Sequence, residues 1–123
     1  MATHRDIQAR IEEIPADLRL AVYMRDGFAC LYCGDTLEGG AVFTVDHIRP
    51  RQLGGSHEAD NLVTCCSYCN TEKRHLVLHV FLLHLESYGR LLPGTGERIA
   101  AALATPIGPF LERARADIAR RAK

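Results

Sequence analysis

The sequence predicts an α+β fold, a single small domain over residues 1–123 with two short strands and a helix at its centre and further helices on both flanks. Three observations predict it. Residues 41–48, "AVFTVDHI", are rich in β-branched and aromatic side chains. Residues 61–66, "NLVTCC", form a second short apolar run after a glycine-containing loop. From Ser67 onward the apolar spacing turns helical and stays so to Gly89.

Taken in order, "THRDIQARIEEI" opens with Thr3 three residues before Asp6, which resembles a capping box and predicts a first helix. A second helix is expected from Pro15, at a first-turn position, to Gly27 just past its end, with Ile14, Leu18, Ala21 and Val22 on one packing face. "GFACLYCGDTLEGG" is dense in turn formers and reads as a knuckle. In the long helix from Ser67, Glu72, His75, His79 and Glu86 define a narrow polar stripe, so most of its circumference is expected to be buried. "LLPGTG" ends it. Two shorter helices follow, "ERIAAALA" and a segment from Thr105 and Pro106 to Arg121, the latter with Ile107, Leu111, Ala114 and Ile118 on one face.

Fifteen Lys and Arg balance fifteen Asp and Glu, so net charge makes no case for nucleic acid or for an acidic partner. The longest apolar runs are too short and too often interrupted by histidine to span a bilayer, and no charged-then-apolar leader opens the chain. A cytoplasmic protein without membrane contact is expected. Five cysteines in such a chain argue for metal binding rather than for a disulfide framework, which belongs to oxidising compartments.

Cys30 with Cys33 and Cys66 with Cys69 form two C-x2-C pairs, the pattern of two knuckles that close a tetrahedral structural zinc. Reduced core cysteines are the plain alternative. Cys65 falls one residue outside the usual spacing and is expected to be a small buried side chain. A closed zinc has no open position for water, so any reaction must use other residues. Asp46 offers a hard oxygen, and Asn70, next to the last cysteine, an amide oxygen of the kind magnesium accepts. A zinc shared by both pairs would draw Asn70 toward the strand of Asp46 and His47, whose side chains alternate between strand faces. Imidazole is suited to take a proton from water near neutral pH.

Together the C-x2-C pairs, "VDHI-x-P", "GG", "NLV" and "C-x2-CN-x2-K" closely resemble the HNH endonuclease family, whose core is the ββα-metal fold. The resemblance covers about residues 25–75, and leaves helical extensions at 1–24 and 76–123. It implies that His47 is the general base, that Asp46 ligates a catalytic divalent cation, and that Asn61 fixes the loop and orients the base. Asn70 matches the third signature position, which makes the chain an H-N-N variant. Some members carry a metal-binding histidine four residues after that position; here it is Arg74, so magnesium or manganese is expected rather than a second zinc.

The activity so implied is hydrolysis of DNA phosphodiesters, with a non-catalytic zinc module binding nucleic acid or protein as the alternative, and an RNA nuclease as a third reading. Arg49, Arg51, Lys73 and Arg74 flank the site and are candidates for a phosphate-facing rim, Lys73 matching the family's lysine. Gly54 and Gly55 are expected to permit positive φ in the loop. Arg113, Arg115, Arg120, Arg121 and Lys123 either meet a DNA backbone or are a solvated helix end. No segment reads as a separate sequence-recognition module, so specificity is expected to be weak or supplied by a protein partner.

Overall fold

The computed structural model describes residues 14–74 and 76–122. The first expected helix, over Thr3 to Ile14, lies outside these but for its last residue. Seven regular elements follow in order: α1 (Ala16–Arg25), β1 (Phe43–His47), β2 (Leu62–Cys66), α2 (Ser67–Lys73), α3 (Leu78–Ser87), α4 (Thr95–Ala104) and α5 (Gly108–Arg121). Short 3₁₀ turns at Arg51–Leu53 and Ala59–Asn61 shape the loop between the strands. The fold is α+β, with a two-stranded antiparallel sheet at its centre.

The strands pair from Phe43↔Cys66 at one end to His47↔Leu62 at the other. Because side chains alternate, the sheet separates two apolar clusters. Leu62 and Val45 join Ile14, Leu18, Val22 and Ile107 under α1, and α5 packs across α1. On the other face, Val63 and Cys65 join Leu31, Tyr32, Phe81, Leu85 and Ile99. The Asp46 side chain falls on this second face, opposite Val45.

Helix α1 ends in a device that braces β2. Arg25 and Asp26 form a side-chain ion pair at 2.8 Å, almost wholly buried. From there Arg25 donates to Ala59 O and Leu62 O, and Asp26 accepts the Thr64 amide at 2.7 Å. The outer edge of β2 is thereby satisfied without a third strand, as buried backbone groups require.

Two expectations fail here. The helix expected from Ser67 to Gly89 is two helices, broken at Arg74, which adopts φ 50° and ψ −114°. Lys73 is anchored in the core just before the break, and the turn after it carries Phe81 and Leu85 back onto the knuckle, where the Phe81 ring meets Tyr32 edge-on at 4.9 Å. The polar stripe of Glu72, His75, His79 and Glu86 therefore does not form one face, and His75 lies outside the described residues. Nor is the second half buried around its circumference: α3 buries Phe81 and Leu85, whereas Leu83 is 63% exposed. Among the described residues, no helix is long and apolar enough to cross a membrane.

Candidate metal centre and active site

The two knuckles meet. The sulfurs of Cys30, Cys33, Cys66 and Cys69 all lie within 4.8 Å of one another, and Cys33 and Cys66 are 3.7 Å apart. Zinc–sulfur bonds of about 2.3 Å give a tetrahedron with edges of about 3.8 Å, so this spacing fits the ion. The first knuckle is a tight turn in which Gly34, at φ 84°, donates to Cys30 O and Cys30 donates to Asp35 O. In the second, Cys66 caps α2, and its sulfur accepts the Cys69 amide at 3.4 Å.

The electrostatics of the cluster also call for a cation. Hydrogen bonds from Cys65 and then Cys69 pull the Cys30 thiol far down, whereas the bond to Cys30 and then burial push Cys69 up. Burial pushes Cys33 up to about 12. Sulfurs this close repel one another when ionised, and a bound cation would let all four ionise together. Arg90 leans on the same cluster. Burial disfavours its charge, but the neighbouring Cys33 outweighs this and holds its pKa above the usual value. Its Nε is buried without a hydrogen-bond partner among the described residues, and its guanidinium lies 4.1 Å from the Tyr68 ring centroid. A guanidinium at that position suits the net negative charge of a tetrathiolate zinc. Cys65 is fully buried and stands outside the four-sulfur group, as the spacing predicts.

From the sulfurs, α2 runs back along the strands toward the far end of the sheet. Lys73, one turn after Cys69, is 1% exposed, and its Nζ donates to His47 O at 3.0 Å and lies 3.2 Å from Asp46 Oδ2. The Tyr32 hydroxyl donates to the same oxygen at 2.5 Å. Burial pushes the Asp46 carboxyl above the usual carboxylate value, against the pull of Lys73 and Tyr32. Tyr32 is pushed up strongly, first by burial and then by the Asp46 charge. The expectation that Lys73 belongs to a phosphate-facing rim is therefore corrected. Its ammonium is spent on a buried carboxylate, the pairing that makes burial of a lysine tolerable.

Oδ2 is thus committed to two donors. Asn70 is exposed on α2, three residues before Lys73 and so on the same helix face. It therefore stands one turn along the face that meets Asp46. Asp46 is buried and already paired with Lys73, whereas Asn70 is exposed, so a hard cation held by both remains the expectation drawn from the sequence.

At the end of β1, His47 is partly exposed, and its Nε2 lies 2.8 Å from His57 Nδ1. Asn61 closes the loop between the strands: Oδ1 accepts the Arg49 amide at 2.9 Å, and Nδ2 donates to Ser56 O at 2.9 Å and to Arg49 O at 3.2 Å. The backbone ladder continues beyond His47 through the Ile48 amide to Asn61 O. Gly54 has the expected positive φ, at 85°. Gly55 does not, and corrects the reading: a Cβ there would lie 1.7 Å from Arg49 O, so close approach, not φ, demands glycine.

Arg49, Arg51 and Arg74 are exposed. The first two turn inward to the loop, Arg49 donating to Leu53 O at 2.6 Å and Arg51 to Gly55 O at 3.4 Å. On α5, Arg120 and Arg121 pair with Asp117 and Arg115 with Asp17, which favours the solvated-helix reading of the C-terminal cations.

Sequence reasoning missed Arg25, Asp26, Tyr32 and His57. The first three act across the tertiary structure and carry no spacing signal. His57, between "GGS" and "EADN", had only its residue type to offer.

Residues 30–76 match the family model described as HNH endonuclease. No curated protein and no solved structure gives a match. The matched segment spans both cysteine pairs, His47, Asn61 and Asn70, and folds as strand, strand and helix around the four sulfurs. Residues 30–76 are thus similar to the HNH endonuclease family model and contain all four of the clustered cysteines.

Proposed function

We propose that the protein is a metal-dependent endonuclease that hydrolyses DNA phosphodiester bonds, with His47 as general base. The observation that carries this reading is the matched segment, with His47 partly exposed at the end of β1 beside a loop closed by Asn61. His47 takes a proton from water, the remaining hydroxide oxygen forms a bond to phosphorus, and the P–O3′ bond breaks with its electron pair on the 3′ oxygen. That oxygen takes a proton from solvent, and the ends are a 5′-phosphate and a 3′-hydroxyl. A magnesium or manganese ion on Asp46 and Asn70 would stabilise charge on the phosphate and on the leaving oxygen.

In this reading zinc at Cys30, Cys33, Cys66 and Cys69 is structural, and α2 carries its anchorage to the reaction centre. The whole chain acts as one domain, a core at about 25–75 wrapped by helical segments at 1–24 and 76–123. Arg74, Arg49 and Arg51 form the side that meets phosphate, and a protein partner supplies sequence preference. Five reduced cysteines suit the cytoplasm.

The alternative, a zinc module that binds without turnover, draws support from one observation: Lys73 already neutralises Asp46. A plasmid-nicking assay with and without chelator decides between them, repeated on Asp46→Asn and Asn70→Ala. Cleavage that needs added magnesium and disappears in both variants supports the enzyme. DNA binding with no cleavage under magnesium or manganese supports the module.

A further inference from the structure

His57 stands in the loop between the strands, on backbone that is held on both sides. Its neighbour Ser56 gives its carbonyl to Asn61 Nδ2 and its hydroxyl oxygen to the Glu58 amide, and Glu58 O accepts the Asn61 amide. The ring is therefore presented by a fixed segment. It meets His47 with an interplanar angle of 59° and centroids 4.9 Å apart, an inclined contact made through ring nitrogens rather than through stacked faces. At 2.8 Å, His47 Nε2 and His57 Nδ1 must share one proton, since two lone pairs or two N–H groups at that separation repel.

We propose that His57 is a positioning residue for the hydrolysis, holding His47 by accepting its Nε2–H proton. The proposal rests on the reading of His47 as general base. His57 is then the neutral tautomer with its own proton on Nε2, and His47 is the tautomer whose Nδ1 carries the lone pair. When water gives up its proton, the new N–H bond forms at His47 Nδ1 and the electron pair stays on the hydroxide oxygen. The resulting imidazolium keeps its Nε2–H bond to His57, now a charge-assisted one, and such bonds are the stronger kind. His57 loses and gains no proton in the step. In the reverse arrangement, with His57 donating from Nδ1, His47 would hold its proton on Nδ1 and have no basic nitrogen left for water. The direction of one hydrogen bond thus decides whether His47 is a base at all.

The same logic explains why the family-type asparagine is coupled to this contact. Asn61 binds both Arg49 and Ser56, so it fixes the two ends of the loop that presents His57 to His47. Asn61 orients the base through His57.

The test combines ring tautomers with kinetics on the full zinc-loaded chain. Long-range proton–nitrogen spectra of the ¹⁵N-labelled protein should show His47 protonated at Nε2 and bare at Nδ1, and His57→Ala should abolish that preference. In supercoiled-plasmid cleavage with magnesium, His57→Ala should lower kcat by about 10- to 100-fold with KM unchanged. His57→Asn, whose amide oxygen offers an acceptor near the Nδ1 position, should recover most of the loss. A wild-type spectrum with the His47 proton on Nδ1 overturns the proposal, as does an unchanged kcat in His57→Ala. So does a contact in which zinc or manganese, rather than a proton, joins the two rings, seen as a joint shift of both rings on titration. If the wild type cuts no DNA while the His47 tautomer still depends on His57, the nuclease reading falls and the pairing stands.

Discussion

At its Cys66 end the strand pair runs into four sulfurs gathered within 4.8 Å, and at its His47 end into a loop held by hydrogen bonds, three of them made by the Asn61 side chain. The first region is largely buried, with the Arg90 guanidinium beside it. The second is open to solvent and rich in exchangeable donors and acceptors. On the proposed reading the four sulfurs hold a closed zinc, which cannot activate water, and chemistry is left to the other end. Helix α2 joins them, with Cys69 among the sulfurs and Lys73, one turn on, touching His47 O and Asp46. What happens at the cysteines should therefore reach the histidine.

Removing the metal tests that link most severely. Zinc release by a strong chelator, or Cys66→Ser, should cost on the order of 10 kcal/mol of folding free energy and unfold the chain, read by circular dichroism and zinc titration. A chelated chain that keeps its native spectrum would break the comparison, because the sulfur end would then not be the anchor.

Next in size is the buried pair between the two regions. Lys73→Met leaves Asp46 without its cation and should cost about 3–5 kcal/mol in urea unfolding, most of it recovered in the double variant with Asp46→Asn. Were Lys73 a phosphate contact instead, the single variant would weaken DNA binding and leave stability almost unchanged.

The loop end should give way more gently. Asn61→Ala removes three hydrogen bonds, but water reaches this partly exposed segment, so about 1–2 kcal/mol is expected. The cleavage rate should fall by more than that destabilisation explains, through the freed His57. At the smallest end, the exposed Arg115–Asp17 pair joins two helices remote from both regions, and Arg115→Ala should change stability by less than about 1 kcal/mol.

How much of this could be read from the chain follows the same division. The cysteine frame was legible because knuckle spacing is local, and the strands because β-branched runs bounded by glycine announce themselves. Asn61 and the His47 position were legible from the surrounding motif. The break at Arg74 was not, since neither glycine nor proline marks the residue that turns to φ 50°. Asp46 looked like an open ligand because nothing local reveals Tyr32, fourteen residues earlier, or Lys73, well downstream. Gly55 was singled out for its backbone freedom, when the Arg49 carbonyl is what excludes a side chain. The Tyr32 and Lys73 misses are contacts between distant segments, and the Gly55 one is a close approach within a single loop.

The most direct test of the account is His47→Ala in the full chain, with bound zinc and the unfolding midpoint measured on the sample used for plasmid cleavage. The account predicts one zinc per chain, an unfolding midpoint close to that of the parent, and magnesium-dependent cleavage reduced by about 10²- to 10⁴-fold. Undiminished cleavage by a folded, zinc-loaded variant would contradict it.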